Sequence, residues 1–359
     1  MKGNYRKLGD IVELIDERNK DGNVQNLIGV SIDKCFIKSV ANTIGTDLTK
    51  YQVIRKNDFA CSLMQVSRDG KIPIACLKDY DEAIMSPAYY IFRIKNTNEV
   101  FPDYLTMWFM RTEFDREASY IAVGGVRGSM PWEDFCDMKL PVPDLKEQEK
   151  IVNTYNAITK RIQLKQKINE NLEKTAQTVY KRNTNEYQGD KKQIIVENYC
   201  NIFTGKKDVN QAKNSGKYKF FSCSPNYLYS DEYIYDGKAI LVAGNGSYTG
   251  RTTFVSEAFD LYQRTYAITP KNKNDKILFF ICLSFMTDFQ MNMKQKLHGS
   301  AIPYIVYDDL AKHCFEINPN WENDALKIEK LFSVIKKSAE EILELQNLKQ
   351  LVISRISGM

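Results

Sequence analysis

"PVPDLKEQEKIVNTYNAITKRIQLKQKINENLEKTAQTVYK", residues 141–181, decides how this chain is built. Pro141 and Pro143 keep helix from starting before them, because proline lacks the backbone N–H and clashes with the preceding turn. Asp144 is placed to cap a helix beginning directly after it, with Glu147 three residues on as its capping-box partner. From there Ile151, Tyr155, Ile158, Ile162, Ile168, Leu172, Ala176 and Val179 recur at spacings of three, four or their sums. That is the narrow apolar stripe of one long amphipathic helix. Neither Pro nor Gly interrupts it, so the stretch predicts about 35 helical residues, on the order of 50 Å at 1.5 Å per residue.

The C-terminal stretch repeats the pattern. A helix starting at Asn320 or Asn323 carries Ile328, Leu331, Ile335, Ser338, Ile342, Leu345, Val352 and Ile356 along one face. So narrow a stripe needs a partner helix. Each stripe can find it in the other; packing on its own globular domain, or on a second chain, are the alternatives. Upstream of each helix stands the same lead-in, "GSMPWEDF" at 128–135 and "GSAIPYIVYDDL" at 299–310, each with Gly-Ser, Pro, an aromatic residue, and acid beside apolar.

Aligned from these anchors, the halves follow one plan. "KLGDIVELIDERNK" and "VENYCNIFTGKK" each suggest a short amphipathic helix running into a polar loop. "YQVIRKNDFACSL" and "YIYDGKAILVAGNG" each read as two apolar stretches around a hairpin turn, at Asn57-Asp58 and Asp236-Gly237. "SRDGKIPIACL" matches "SYTGRTTFVSE", and "SPAYYIFRIKN" matches "QRTYAITPKN" as the next strand. "FPDYLTMWFMRTEFDREA" and "DKILFFICLSFMTDFQMNM" read as buried helices. The polar, Gly-containing "NTNEYQGDKKQ" joins the copies. The division is therefore a module at 1–143, a long helix at 144–182, a linker at 183–193, a module at 194–319 and a long helix at 320–359. The fold class is α+β: two mixed α/β modules separated by two long helices, an internal pseudo-twofold duplication.

Bulk properties set limits. A chain of 359 residues, 43% hydrophobic, allows two ordinary domains. No apolar run approaches the roughly 20 residues of a membrane helix, and "MKGNYRKLGD" has no apolar core of a secretory signal. The expectation is a cytoplasmic protein. The eight cysteines stand singly, without a C-x-x-C pair, and read as reduced core residues. Two histidines, His298 and His313, argue against histidine-based catalysis or a histidine zinc site. The net charge of +5 permits nucleic-acid binding without demanding it.

Catalytic motifs fail on inspection. In "GNGSYTGR" Gly244 and Gly250 are one residue too far apart for a phosphate loop, Arg251 replaces the lysine, and strand-like sequence comes next. "NPNW" at 318–321 lacks the second proline of an amino-methyltransferase motif and reads as a helix lead-in. No metal-binding carboxylate cluster and no nucleophile–base pair recurs in both copies, which leaves a binding protein.

The loops are suited to nucleic acid. Candidate contacts in copy one are Gln65, Ser67, Arg68, Lys71, Arg127, Ser129 and Trp132. In copy two they are Tyr227, Asn245, Ser247, Tyr248, Arg251, Gln263, Arg264, His298, Ser300 and Tyr304. Arginine grips guanine edges, and Gln or Asn adenine edges, with two hydrogen bonds each. Ser, Lys, Tyr and backbone N–H groups hold phosphates. Solvated turns are the plain alternative for any one of them.

The stretch "GSMPWEDFCDMKLPVPDLKEQEKI" and its echo "GSAIPYIVYDDLAKHCFEINPNWENDALKIEKL" carry a resemblance. The chain resembles the specificity subunit of type I restriction-modification systems along essentially its whole length. "LPVPDLKEQEKI" is the most specific part, and copy two lacks its Glu-Gln pair. The resemblance implies two target recognition domains, each reading half of a bipartite double-stranded DNA site. It implies an antiparallel pairing of the long helices, through Ile151, Tyr155, Ile158, Ile162, Leu172, Leu331, Ile335, Ile342, Leu345 and Val352, that sets the distance between half-sites. It also implies a non-catalytic chain that binds no metal or cofactor. Two methyltransferase subunits would bring S-adenosylmethionine, and restriction subunits ATP and Mg. A recognition subunit of a type IIB-like methylating system, or a helical scaffold that binds no DNA, are the alternatives.

Overall fold

A computed structural model of the chain describes residues 5–39, 46–64, 66–124, 128–272, 275–290, 292, 298 and 302–356. Two compact units compose it, Met1–Leu164 with Ile342–Met359, and Lys165–Glu341. In unit 1 the elements are β1 (Tyr5–Lys7), α1 (Leu8–Ile11), β2 (Val12–Ile15), β3 (Ile28–Val30), β4 (Phe36–Lys38), β5 (Gln52–Arg55), β6 (Phe59–Cys61), α2 (Val66–Asp69), β7 (Ile74–Cys76), β8 (Glu82–Met85), β9 (Tyr90–Ile94), α3 (Pro102–Phe109), α4 (Thr112–Ile121), α5 (Trp132–Asp137), β10 (Lys139–Pro141) and the first half of α6 (Leu145–Thr184). Its main sheet is antiparallel in the order β2-β9-β6-β7, and β1 pairs with β10. Phe59 stacks on Phe92 at 5.3 Å, and Phe109 and Phe135 close the core beneath α3 and α5.

Unit 2 continues with β11 (Lys192–Ile195), α7 (Val196–Tyr199), β12 (Cys200–Thr204), β13 (Tyr218–Phe221), β14 (Leu228–Ser230), β15 (Tyr235–Ala243), β16 (Thr252–Leu261), β17 (Thr265–Pro270), α8 (Ile277–Ser284), α9 (Tyr307–Ala311), β18 (Cys314–Ile317) and α10 (Glu322–Arg355). Its sheet runs β12-β17-β15-β16-β13-β14, and β11 pairs with β18. The first four strands repeat the order of unit 1, which makes the duplication structural. The apolar run Ala239–Ala243 is buried on both faces, one under α8 and the other against Val255 and Phe259. That placement suits an unbroken run of Ala, Ile, Leu and Val in a central strand. Helix α8, "ILFFICLS", is apolar all round and buried all round.

The long helices are part of these cores. In unit 1, Ile151, Val152 and Tyr155 of α6, Val352 and Ile353 of α10, and Ile356 directly after it join the aromatic core. In unit 2, Ala176, Val179 and Tyr180 of α6 and Ala325, Ile328, Leu331 and Phe332 of α10 join the other. Within unit 2 Lys165 pairs with Glu341, and Asn183 Nδ2 donates to Asp324 Oδ2 at 3.2 Å, so the helices run antiparallel. Asp144 accepts the Glu147 N–H at 2.9 Å, as the capping pattern requires.

By packing, each of the two compact units holds part of both long helices. Several expectations are corrected. Neither expected hairpin forms. Asn57 turns the chain at φ +71°, but β5 and β6 pair with different strands, and Gly237 lies inside the continuous β15. The helices beginning at Leu8 and Val196 last one turn and become strands, which leaves Leu14 exposed. "FPDYLTMWFMRTEFDREA" breaks at Met110–Arg111 into α3 and α4. Helix α10 starts directly after buried Trp321, which packs on Phe280. On α6, Ile168 is 51% exposed, and Lys165 and Asn169 occupy the seam instead. All eight cysteines are free; Cys35 and Cys314 are exposed rather than in the core.

Gln148 fastens α6 to its module. It is fully buried, its Oε1 accepts the Phe101 N–H at 3.0 Å, and its Nε2 donates to the carbonyls of Glu99 at 2.7 Å and Pro143 at 2.8 Å. Gln148→Met keeps the volume and leaves those groups unpaired, at a cost of about 2–3 kcal/mol. The urea midpoint of the full chain is expected to fall accordingly; an unchanged midpoint would refute the role.

Candidate nucleic-acid interface

In unit 2 the candidate loops come together at one end of the sheet. "GNGSYTGR" links β15 to β16, residues 262–264 link β16 to β17, and 222–227 link β13 to β14. Gly244 N–H donates to the Arg264 carbonyl at 3.0 Å, and the Gly246 N–H donates to the Pro303 carbonyl at 3.0 Å. Cys223 Sγ donates to Asn245 Oδ1 at 3.2 Å, and the buried Thr249 hydroxyl donates to the Pro303 carbonyl at 2.9 Å. Only glycine permits this closeness: a Cβ on Gly244 would stand 2.4 Å from the Arg264 oxygen. His298 and Tyr304 exchange backbone hydrogen bonds and stack at 5.5 Å, and His298 Nε2 lies 3.3 Å from Asp309.

The side chains of this cluster divide in two. Ser247, Tyr248 (49% exposed), Arg264, His298 (45%) and Tyr304 (43%) face solvent, with Asn245 part-buried among them. Arg251, Gln263 and Tyr227 are engaged within the protein. The Arg251 guanidinium donates to the Ser224 carbonyl and, at 3.0 Å, to Thr253 Oγ1, and burial lowers its pKa from the ordinary value. It braces the 222–227 loop. Gln263 Nε2 donates to Asp208 at 3.1 Å. Tyr227 sits among Phe221 and Tyr229 with the Lys219 ammonium 5.1 Å above its ring, and burial raises its pKa.

In unit 1 the corresponding surface holds α2 and the 128–130 segment. The Met130 N–H donates to the Leu63 carbonyl at 2.9 Å, and Gly128 lies against Ser67. Gly70 (φ +66°) and Gly250 (φ +81°) end the matching turns of the two units, so Lys71 and Arg251 occupy equivalent places. Arg68 is exposed but its guanidinium is tied to Asp69 at 2.6 Å. Trp132 is part-buried, stacked on Tyr90 at 5.4 Å and against Phe135 at 5.1 Å, and supports the core. Gln65, Arg127 and Ser300 lie outside the described residues. In unit 2, Cys223 and the Ser224 carbonyl join the loop cluster through Asn245 and Arg251, contacts that no local sequence pattern reveals.

These surfaces present hydroxyl, amide, guanidinium and aromatic groups. Among the described residues no group of three His, Cys, Asp or Glu is placed to hold a metal ion, and no helix is long and apolar enough to cross a membrane. His313 is buried, with its Nε2 3.1 Å from the Ser284 hydroxyl and its ring against Phe285.

Comparison with known proteins agrees with the duplication. The model of the type I restriction modification DNA specificity domain matches residues 3–174 and again 184–350. The chain belongs to that family. It is 29% identical over 168 residues to the type I restriction enzyme EcoDI specificity subunit of Escherichia coli, covering 45% of this chain and 35% of that protein. It is 28% identical over 155 residues to the MjaVIII specificity subunit of Methanocaldococcus jannaschii, covering 42% and 36%. The chain thus spans little more than a third of the length of each of these relatives. The fold is also similar to the crystal structure of the type I restriction-modification S subunit from M. genitalium, with TM-score 0.61, 12% identity, and 99% of this chain and 96% of that one covered.

Gly128 is the most constrained point of the unit 1 surface. Its φ is +70°, and a Cβ there would meet Ser67 Oγ at 2.1 Å. Gly128→Ala is expected to cost roughly 1–2 kcal/mol through the backbone penalty. Because the hydroxyl can rotate but the backbone cannot, Ser67→Ala is expected to leave most of that loss. Urea unfolding of the single and double variants checks this, and full rescue by Ser67→Ala would refute it.

Proposed function

We propose that this chain is the DNA-reading subunit of a type I restriction-modification complex, each unit recognising one half of a bipartite double-stranded site. The observation that carries the reading is the recurrence of one sheet order with solvent-facing loops at matching places, joined by different side chains: Ser67, Arg68 and Lys71 in one, Ser247, Tyr248 and Arg264 in the other. Matched frameworks with unlike loops suit two readers of unlike sequences. The antiparallel helices then set the unread gap. The chain performs no chemistry itself. Two methyltransferase subunits supply S-adenosylmethionine-dependent adenine methylation, restriction subunits supply ATP- and Mg-dependent cleavage, and the assembly works in the cytoplasm.

Two measurements test this. DNA affinity, with the methyltransferase partner present, is expected to fall steeply with salt through counterion release; a flat response would count against DNA reading. Exchanging residues 1–140 for the corresponding module of another family member is expected to change one half of the methylated motif and leave the other half and the spacing intact. Simultaneous change of both halves would overturn the two-reader arrangement.

A further inference from the structure

We propose that an open cleft in unit 1, beside the candidate reading loop, binds the phosphodiester backbone of DNA through Arg116, Lys349 and Lys71. The proposal rests on the DNA-reading function above and assigns a grip that starts at the edge of the reading loop and extends beyond it. The cleft has a volume of about 590 Å³ and brings Gly70–Lys71 together with α4, with Asp33–Lys34, and with Tyr155 and Lys349 of the long helices. Its floor is an internally satisfied pair. The Lys34 ammonium lies 2.7 Å from Asp115 Oδ1 and donates to the Phe109 carbonyl, Asp115 also accepts the Ile72 N–H at 3.3 Å, and both side chains are nearly buried.

What the floor leaves unneutralised is basic. Lys71, Arg116 and Lys349 form no ion pair among the described residues; of the two carboxylates lining the cleft, Asp115 is taken by Lys34, which leaves Asp33. The contrast with Arg68 is direct, since its charge is already taken by Asp69. The Lys349 ammonium is held 4.7 Å from the centre of the Tyr155 ring, which positions it over the cleft instead of leaving it trailing in solvent. Ser119 also lines the cleft, and its buried Oγ has no hydrogen-bond partner. Unpaired cations around an open cleft match an anionic ligand, as a phosphodiester is. The open mouth, continuous with the Gly70–Lys71 edge of the reading loop, suits a passing strand.

The test uses the full chain with its methyltransferase partner, and the variants Arg116→Gln and Lys349→Gln singly and together. The slope of log affinity against log salt is expected to shallow by about 0.9 for each phosphate no longer gripped, with base preference in both half-sites unchanged. Lys349→Arg, which keeps the charge over Tyr155, is expected to retain the wild-type slope. An unchanged slope in the double variant, or a Lys349→Arg variant as defective as Lys349→Gln, would overturn the proposal. So would binding of inorganic tripolyphosphate that the double variant loses while its DNA slope stays wild-type, since the cleft would then serve small anions. A wild-type complex that binds no DNA removes the parent reading; normal wild-type binding with indifferent variants removes only this cleft.

Discussion

A long helix with a narrow apolar stripe is not stable alone in water, and the rest of this fold depends on how that stripe is covered. Here the ends are buried in cores. Ile151 and Val152 sit with Ile353 and Ile356 beneath the aromatic cluster of unit 1, while Ala176 and Tyr180 sit with Ala325 and Ile328 beneath α8 in unit 2. Each helix therefore stabilises, and is stabilised by, both modules. Gln148 makes one of these junctions directional: its three hydrogen bonds fix the start of α6 to the turn before α3. Asn183 has a comparable role in unit 2, accepting the Asn318 N–H at 3.0 Å and bonding Asp324.

Along the middle, the seam is not purely apolar. Lys165 and Asn169 occupy it on α6 and Ser338 on α10, and the Asn169 Oδ1 and Ser338 Oγ atoms are buried without partners among the described residues. A uniform apolar seam tolerates sliding, whereas polar groups at fixed points cost stability and favour one register.

The duplication separates framework from surface. Strand order, the one-turn helices at Leu8 and Val196, and the glycines ending the turns at Gly70 and Gly250 recur in both units. The loops do not. Unit 2 weaves four segments together around Gly244, while unit 1 presses Gly128 against Ser67. Such a scaffold can change what its loops touch without disturbing the apolar positions that hold the sheet.

Sequence by itself determined the duplication, the two long helices, the capped start at Asp144 and the loops that carry polar and aromatic side chains. Those features are local: periodicity, proline placement and capping act over a few residues. It misjudged the turns at Asn57 and Gly237, because whether a turn becomes a hairpin depends on which strand lies next door, and a glycine in a strand looks the same as one in a turn. It placed Ile168 in the seam by spacing, where the angular drift of a real helix puts Asn169 instead. Most of all, only tertiary structure decided which cations are free. Arg68 and Arg251 look equally available as letters, yet Asp69 neutralises one and the Ser224 carbonyl holds the other. Arg116 and Lys349 stand far apart along the chain and share no motif, yet they meet in one cleft. Charge pairing and convergence are properties of distance in space, which chain order does not encode.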